Sequence, residues 1–263
     1  ADISICSQIC RLGVAEHGLD SAENVNVDIE YAMDNYEPWF VRIQPKMTVP
    51  VVKYDDQVIG DSREILFFLA ERHPGLYPDA SQQAISQFID SFYHRFGQIG
   101  LFTFSHFVQR SPEMRDFVAR AKGDVTKQKL QALAETDEFR ELAQAKLKAV
   151  EGRDLVSTAE AQDLDALDAS MKTLLEHMDE ELKDGRTFLF GDSYTLADVV
   201  ATAYCARLHF VLGDRLFPTR VCTYWESVKA RPTFTSANIC SVWEDALMAK
   251  QFADFVEQRA AAN

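Results

Sequence analysis

The chain has 263 residues, 47% of them hydrophobic, enough to bury a substantial core in one large domain or two smaller ones. Lysine and arginine number 27 against 41 aspartates and glutamates, a formal charge of −14 that repels nucleic acid and anionic membrane surfaces. Five cysteines, an odd number without the close pairs of a disulfide framework, point to a reducing, cytoplasmic compartment, and no apolar run approaches the roughly 18–20 residues of a membrane span.

In chain order, the first predicted element is a helix over residues 6–17, preceded by Ile5 and carrying Ile9 and Leu12 on the same face. Its start reads SICSQIC. A cysteine there faces unpaired amides and the positive end of the helix dipole, both of which favour thiolate, so Cys6 is a candidate nucleophile with Ser4 and Ser7 able to donate to its sulfur. The plainer alternative is a small buried side chain, the usual state of free cysteine. Cys10, one turn farther in and in CxxxC rather than CxxC spacing, reads as packing. Residues 25–29, VNVDI, alternate as a half-buried strand, and residues 49–54, VPVVKY, read as a second strand with a hairpin partner at 57–60. The Val49–Pro50 bond is a candidate cis peptide that would leave the Val49 amide and carbonyl as a free edge for an extended peptide; an ordinary turn is the simpler reading. Asp61 and Ser62 then open the helix REILFFLAERHP, stopped by Pro74. They are either simple caps or a polar site in which Ser62 takes a carboxylate and Asp61 an ammonium.

The segment PGLYPDASQQ, residues 74–83, is the predicted boundary between a first domain, 1–76, and a second, 84–263. Helices are expected over 84–107, 112–121, 125–149, 160–184 and 195–211, with two or three more from 221 onward. The charged stretch 122–160 reads as a solvated helical excursion. The run SFYHRFGQIGLFTFSHF, residues 91–107, offers Tyr93, Phe96, Phe102 and Phe104 as apolar walls and His94 or His106 as polar contacts, or else supplies ordinary interhelical core.

The order of helix-start cysteine, Val-Pro turn and acidic-Ser pair, followed by a helical domain, resembles the glutathione transferase superfamily. FLFGDSYTLADVV, residues 188–200, resembles that family's buried capping box, with Thr195 as cap and Asp198 reaching back, and KARPTF, residues 229–234, its late-helix signature. SICSQICRLGVAEHGLD with VDIEYAMDNYEPWFVRIQPKMTVPVV is similar to the tetrachlorohydroquinone dehalogenase type and the related zeta-like cysteine transferases. The resemblance implies an α/β plus all-α architecture, a thioredoxin-like N-terminal domain followed by an all-helical substrate-binding domain. It also implies a strand before Ser4, where only three residues stand, so the sequence is expected to lack its natural start.

By the same resemblance glutathione is the co-substrate and no metal is needed. Cys6 is then the catalytic cysteine, Ser4 its assistant, Val49 and Pro50 the backbone clamp, and Asp61 with Ser62 the γ-glutamyl site. Met47 and Thr48 stand where the family places glycine and a lysine or glutamine, which leaves Lys46 or Lys53 for the glycyl carboxylate. Tyr93, Phe96, Phe102 and His106 would receive a small hydrophobic electrophile, aromatic or quinoid. The implied protein is a homodimer, packed through residues 67–73, that binds neither nucleic acid nor membrane. Its implied chemistry is glutathione-dependent reductive dehalogenation, with a zeta-like isomerase, an ether-cleaving lyase and a non-catalytic binding protein as alternatives.

Overall fold

The computed structural model describes residues 3–19 and 21–239, apart from the side chain of Phe96. Helix α1 (Ile5–Glu16) forms where expected: Ser4 caps it by accepting from the Ser7 amide, and Ile5, Ile9 and Leu12 lie buried along one face. Gly13 is needed for close packing, because a Cβ there would stand 2.6 Å from Leu66 Cδ2 on the third helix.

The strand expected at residues 25–29 does not form. The Asp28 carboxylate instead gathers the amides of Glu30, Tyr31 and Ala32 at 2.7, 2.9 and 3.2 Å, while Asp34 Oδ2 accepts from the Asp28 amide. This Asx-type knot competes with a ladder, and among the described residues no strand lies beside it to supply one. Val25 is accordingly 60% exposed, although Val27 is buried.

Helix α2 (Pro38–Ile43) follows, then β1 (Val52–Tyr54) and β2 (Gln57–Ile59), an antiparallel hairpin pairing Val52 with Ile59, Lys53 with Val58 and Tyr54 with Gln57. Helix α3 (Ser62–Arg72) starts at Asp61, whose carboxylate accepts from the amides of Arg63 and Glu64.

The single helix expected over 84–107 is two, α4 (Gln82–Tyr93) and α5 (Phe96–Arg110). They part at His94 and Arg95, where the His94 ring nitrogen Nδ1 meets the Asp90 carbonyl at 2.6 Å. The remaining helices are α6 (Pro112–Val118), α7 (Thr126–Ala134), α8 (Arg140–Glu151), α9 (Leu155–Glu160), α10 (Leu164–Glu181), α11 (Leu196–Leu212), α12 (Thr219–Lys229) and α13 (Pro232–Ser236). Wider, π-type turns at Ala119–Val125 join α6 to α7.

Helix α11 is the axis of the main core, buried on every side from Leu196 to Leu208, and α1, α4, α5 and α12 pack on it. The capping box forms: Asp198 is fully buried and accepts from the Thr195 amide and hydroxyl at 2.9 Å, from the Leu189 amide at 3.0 Å and from the Tyr224 hydroxyl at 3.2 Å. Arg231 of the KARPTF segment holds the almost fully buried Glu16 carboxylate in a two-point pair and stacks over Tyr194. Arg11 donates to the Ala237 and Asn238 carbonyls, so α1 is tied to the segment around α13 at two places.

The excursion is helical and largely exposed, as its composition suggested, but one face of it is buried. Leu130, Leu133, Phe139 and Ala143 of the α7–α8 pair bury themselves against Val41 and Met47, forming a second core. Arg42 pairs with Glu138 and Lys129 with Glu37 around its rim. The apolar face of the pair covers the segment that leads to Pro50.

Candidate functional site

Two interlocked loops build the site. Asn35 Nδ2 donates to the Met47 carbonyl at 3.0 Å, and Met47, with φ 57°, turns the chain while its side chain anchors in the second core. Gln44 Nε2 donates to the Gly60 carbonyl at 3.0 Å, so tightly that a Cβ on Gly60 would fall 1.8 Å from that nitrogen. Between these anchors the Val49–Pro50 peptide is cis, and among the described residues no hydrogen bond is made by the Val49 amide or carbonyl. The anchored loop thus presents an unused backbone edge directly ahead of β1.

That edge opens on a cavity of about 630 Å³ that Ser4, Cys6, Val49, Pro50, Asp61 and Ser62 share. Tyr93 also lines it, with its hydroxyl 2.9 Å from Ser62 Oγ. Cys6 is half-buried in the first turn of α1. Burial pushes its thiol up to about 11; the Ser62 hydroxyl pulls it down and the Asp61 carboxylate pushes it up further. Burial therefore outweighs the helix-start amides on which the thiolate expectation rested. The Tyr93 phenol is likewise held well above its ordinary range by burial, against the pull of Ser62. Cys6, Ser62 and Tyr93 form a short chain of neutral donors facing the cavity from three separate helices.

Other residues singled out in the sequence lie elsewhere. Cys10 is buried, its thiol directed at the Ser62 carbonyl, 3.9 Å away. Phe102 is fully buried in the main core, and His106, 1% exposed, bonds Asp168 at 2.8 Å, so neither reaches the cavity as a substrate wall. Phe104 packs into a small cluster with Val108 and Val118. The side chain of Phe96, like Cys240, lies outside the described residues. Lys46 and Lys53 are exposed and do not line the cavity.

The cations that do line it are Lys122, Lys146 and Arg153, all from the excursion and all missed in the sequence. Lys122 is tied to the Ile29 carbonyl beside Asp28 and Glu30, and burial lowers its pKa. A usable signal lay in Ala143, Leu147 and Val150, whose i, i+4, i+7 spacing marks an apolar face that needs a partner.

This site stands in a chain whose residues 3–72 match the glutathione S-transferase N-terminal domain and whose residues 161–233 match the glutathione S-transferase C-terminal domain. The chain belongs to the glutathione transferase family. It has that family's fold, a small thioredoxin-like sheet domain followed by a helical domain. This family member is 26% identical over 252 residues to the tetrachloro-p-hydroquinone reductive dehalogenase of Sphingobium chlorophenolicum, covering 92% of the chain and 95% of that protein. It is 28% identical over 241 residues to glutathione S-transferase TCHQD of Arabidopsis thaliana, covering 88% of the chain and 85% of the relative. Glutathione transferase F7 of Populus trichocarpa shares its fold, with a TM-score of 0.61 at 20% identity over 92% of this chain and 96% of that one. Among the described residues no helix is long and apolar enough to cross a membrane.

Proposed function

We propose that this chain is a glutathione-dependent reductive dehalogenase acting on an aromatic or quinoid electrophile, with Cys6 as the sulfur-transfer nucleophile. One observation carries the reading: the Cys6 thiol, the unused Val49 edge and the Asp61–Ser62 helix start share one cavity. The edge suits the cysteinyl backbone of glutathione, the Ser62 amide its γ-glutamyl carboxylate and Asp61 its ammonium group. The similarity to a reductive dehalogenase supports the choice among glutathione chemistries.

The chemistry balances in three steps. Glutathione sulfur bonds to the ring carbon as halide and a proton leave. Cys6 sulfur then attacks the glutathionyl sulfur, the carbon–sulfur bond breaks toward carbon, and the proton lost by the Cys6 thiol is matched by the one that carbon gains. A second glutathione reduces the Cys6 mixed disulfide, so two thiols are oxidised to one disulfide and one carbon–halogen bond is reduced. A small apolar electrophile would lie over the cavity near Tyr93, and the protein would work as a cytoplasmic homodimer.

The test is mass spectrometry of the protein quenched during turnover of a chlorinated hydroquinone with glutathione. A glutathionyl disulfide on Cys6 is expected, and Cys6→Ser should stop reduced product from forming while still binding glutathione. Reduced product from Cys6→Ser, or an adduct confined to Cys205 or Cys222, would overturn the reading.

A further inference from the structure

Most cations that bridge elements of this acidic protein meet a carboxylate: Arg42, Arg63, Arg115, Lys129, Arg220 and Arg231 all do. Lys146 on α8 and Arg153 just beyond it do not. Among the described residues neither has an acidic partner, and Lys146 Nζ donates only to the Lys46 carbonyl, at 3.3 Å. Both line the Cys6 cavity. Two like charges held together without a counter-ion repel, and the Lys146 ammonium is weakened by partial burial and by the Arg153 guanidinium. Such a pair gains most when an anion enters between them.

We propose that Lys146 and Arg153 form a carboxylate-binding subsite, contributed to the Cys6 cavity by the α7–α8 excursion. The inference rests on the glutathione reading of that cavity and adds residues that neither matched family domain, 3–72 or 161–233, contains. The site has a definite polarity. Asp61 stands beside Cys6, whereas Lys146 is anchored on the carbonyl of Lys46, three residues ahead of the open Val49 edge. An extended ligand lying along that edge with an ammonium group near Asp61 would carry a carboxylate toward the excursion. Two sources supply that chemistry, the glycyl end of glutathione and an acidic group on the electrophile.

Calorimetric titration of the full chain and of its Arg153→Ala and Lys146→Met variants separates them. Arg153 is exposed, so its truncation leaves the fold intact, and methionine keeps the apolar stem of Lys146. If the glycyl carboxylate is bound, each variant weakens glutathione about tenfold while its affinity for glutathione glycinamide changes less than about twofold. If the electrophile supplies the anion, glutathione affinity is unchanged, and KM rises for a halogenated benzoate but not for its neutral benzamide. Either pattern supports the subsite. Variants that leave both ligand pairs unchanged, or weaken the charged and neutral members equally, would overturn it while the glutathione reading stands. Failure of the unaltered protein to bind glutathione at all would instead remove the reading beneath both.

Discussion

At Cys6 the first-turn amides of α1 and the Ser62 hydroxyl favour the thiolate, and burial together with the Asp61 carboxylate opposes it. Burial decides the balance. With the thiol pushed up to about 11, the folded protein holds Cys6 protonated at neutral pH and ionises it only as pH rises toward that value. Because only the thiolate alkylates, iodoacetamide capture at Cys6 of the ligand-free protein should climb nearly tenfold per pH unit between about pH 7 and 10. A rate that plateaus below pH 8 would place a thiolate there at neutral pH and refute the burial argument. Ser62→Ala removes the donor that pulls the thiol down, so capture at pH 8 should slow several-fold further. The position of Cys6 was legible from SICSQIC, since a helix start is written locally. Its protonation was not, because the burial that decides it comes from segments that local pattern does not place in space.

At the scale of elements, the α7–α8 pair shows how composition can mislead. Its charges are at the rim, and its hold on the sheet domain is the apolar seam of Leu130, Leu133, Phe139 and Ala143 against Val41 and Met47. Phe139→Ala opens a cavity in that seam and should cost about 3–5 kcal/mol in denaturant unfolding. Arg42→Ala breaks a pair whose partners are both about half exposed, and should leave the unfolding midpoint nearly unmoved. The opposite ranking would mean that charge, not packing, docks the excursion. The failed strand at residues 25–29 has the same lesson: a period of two reports a two-faced segment, but a strand also needs a neighbour, and Asp28 offers the backbone a competing turn.

For the whole molecule, the main core is built around α11 and its buried cap. Burial lifts the Asp198 carboxyl from its ordinary 3.8 to about 6, against four donors that pull it down. Its folded pKa therefore exceeds its unfolded one, so the native state binds the extra proton and the stability tied to it is lost as pH rises from about 4 through 6. The size is on the order of 3 kcal/mol. The stability gap between the parent chain and Asp198→Asn, measured in urea, should accordingly narrow by roughly that amount from pH 4 to pH 7. A gap that widens would show the carboxyl to be lowered instead. Sequence alone determined the pieces written in contiguous residues: the helix start near Cys6, the capped starts at Asp61 and Thr195, the β1–β2 hairpin, and the order of motifs that marks the family. Only the tertiary structure decided that Phe102 and His106 turn inward, that Arg231 seals Glu16, and that Lys146 and Arg153 stand over the Cys6 cavity. Capping and turn chemistry act within a few residues of chain, whereas burial and charge pairing depend on which distant segments a shared apolar face brings together.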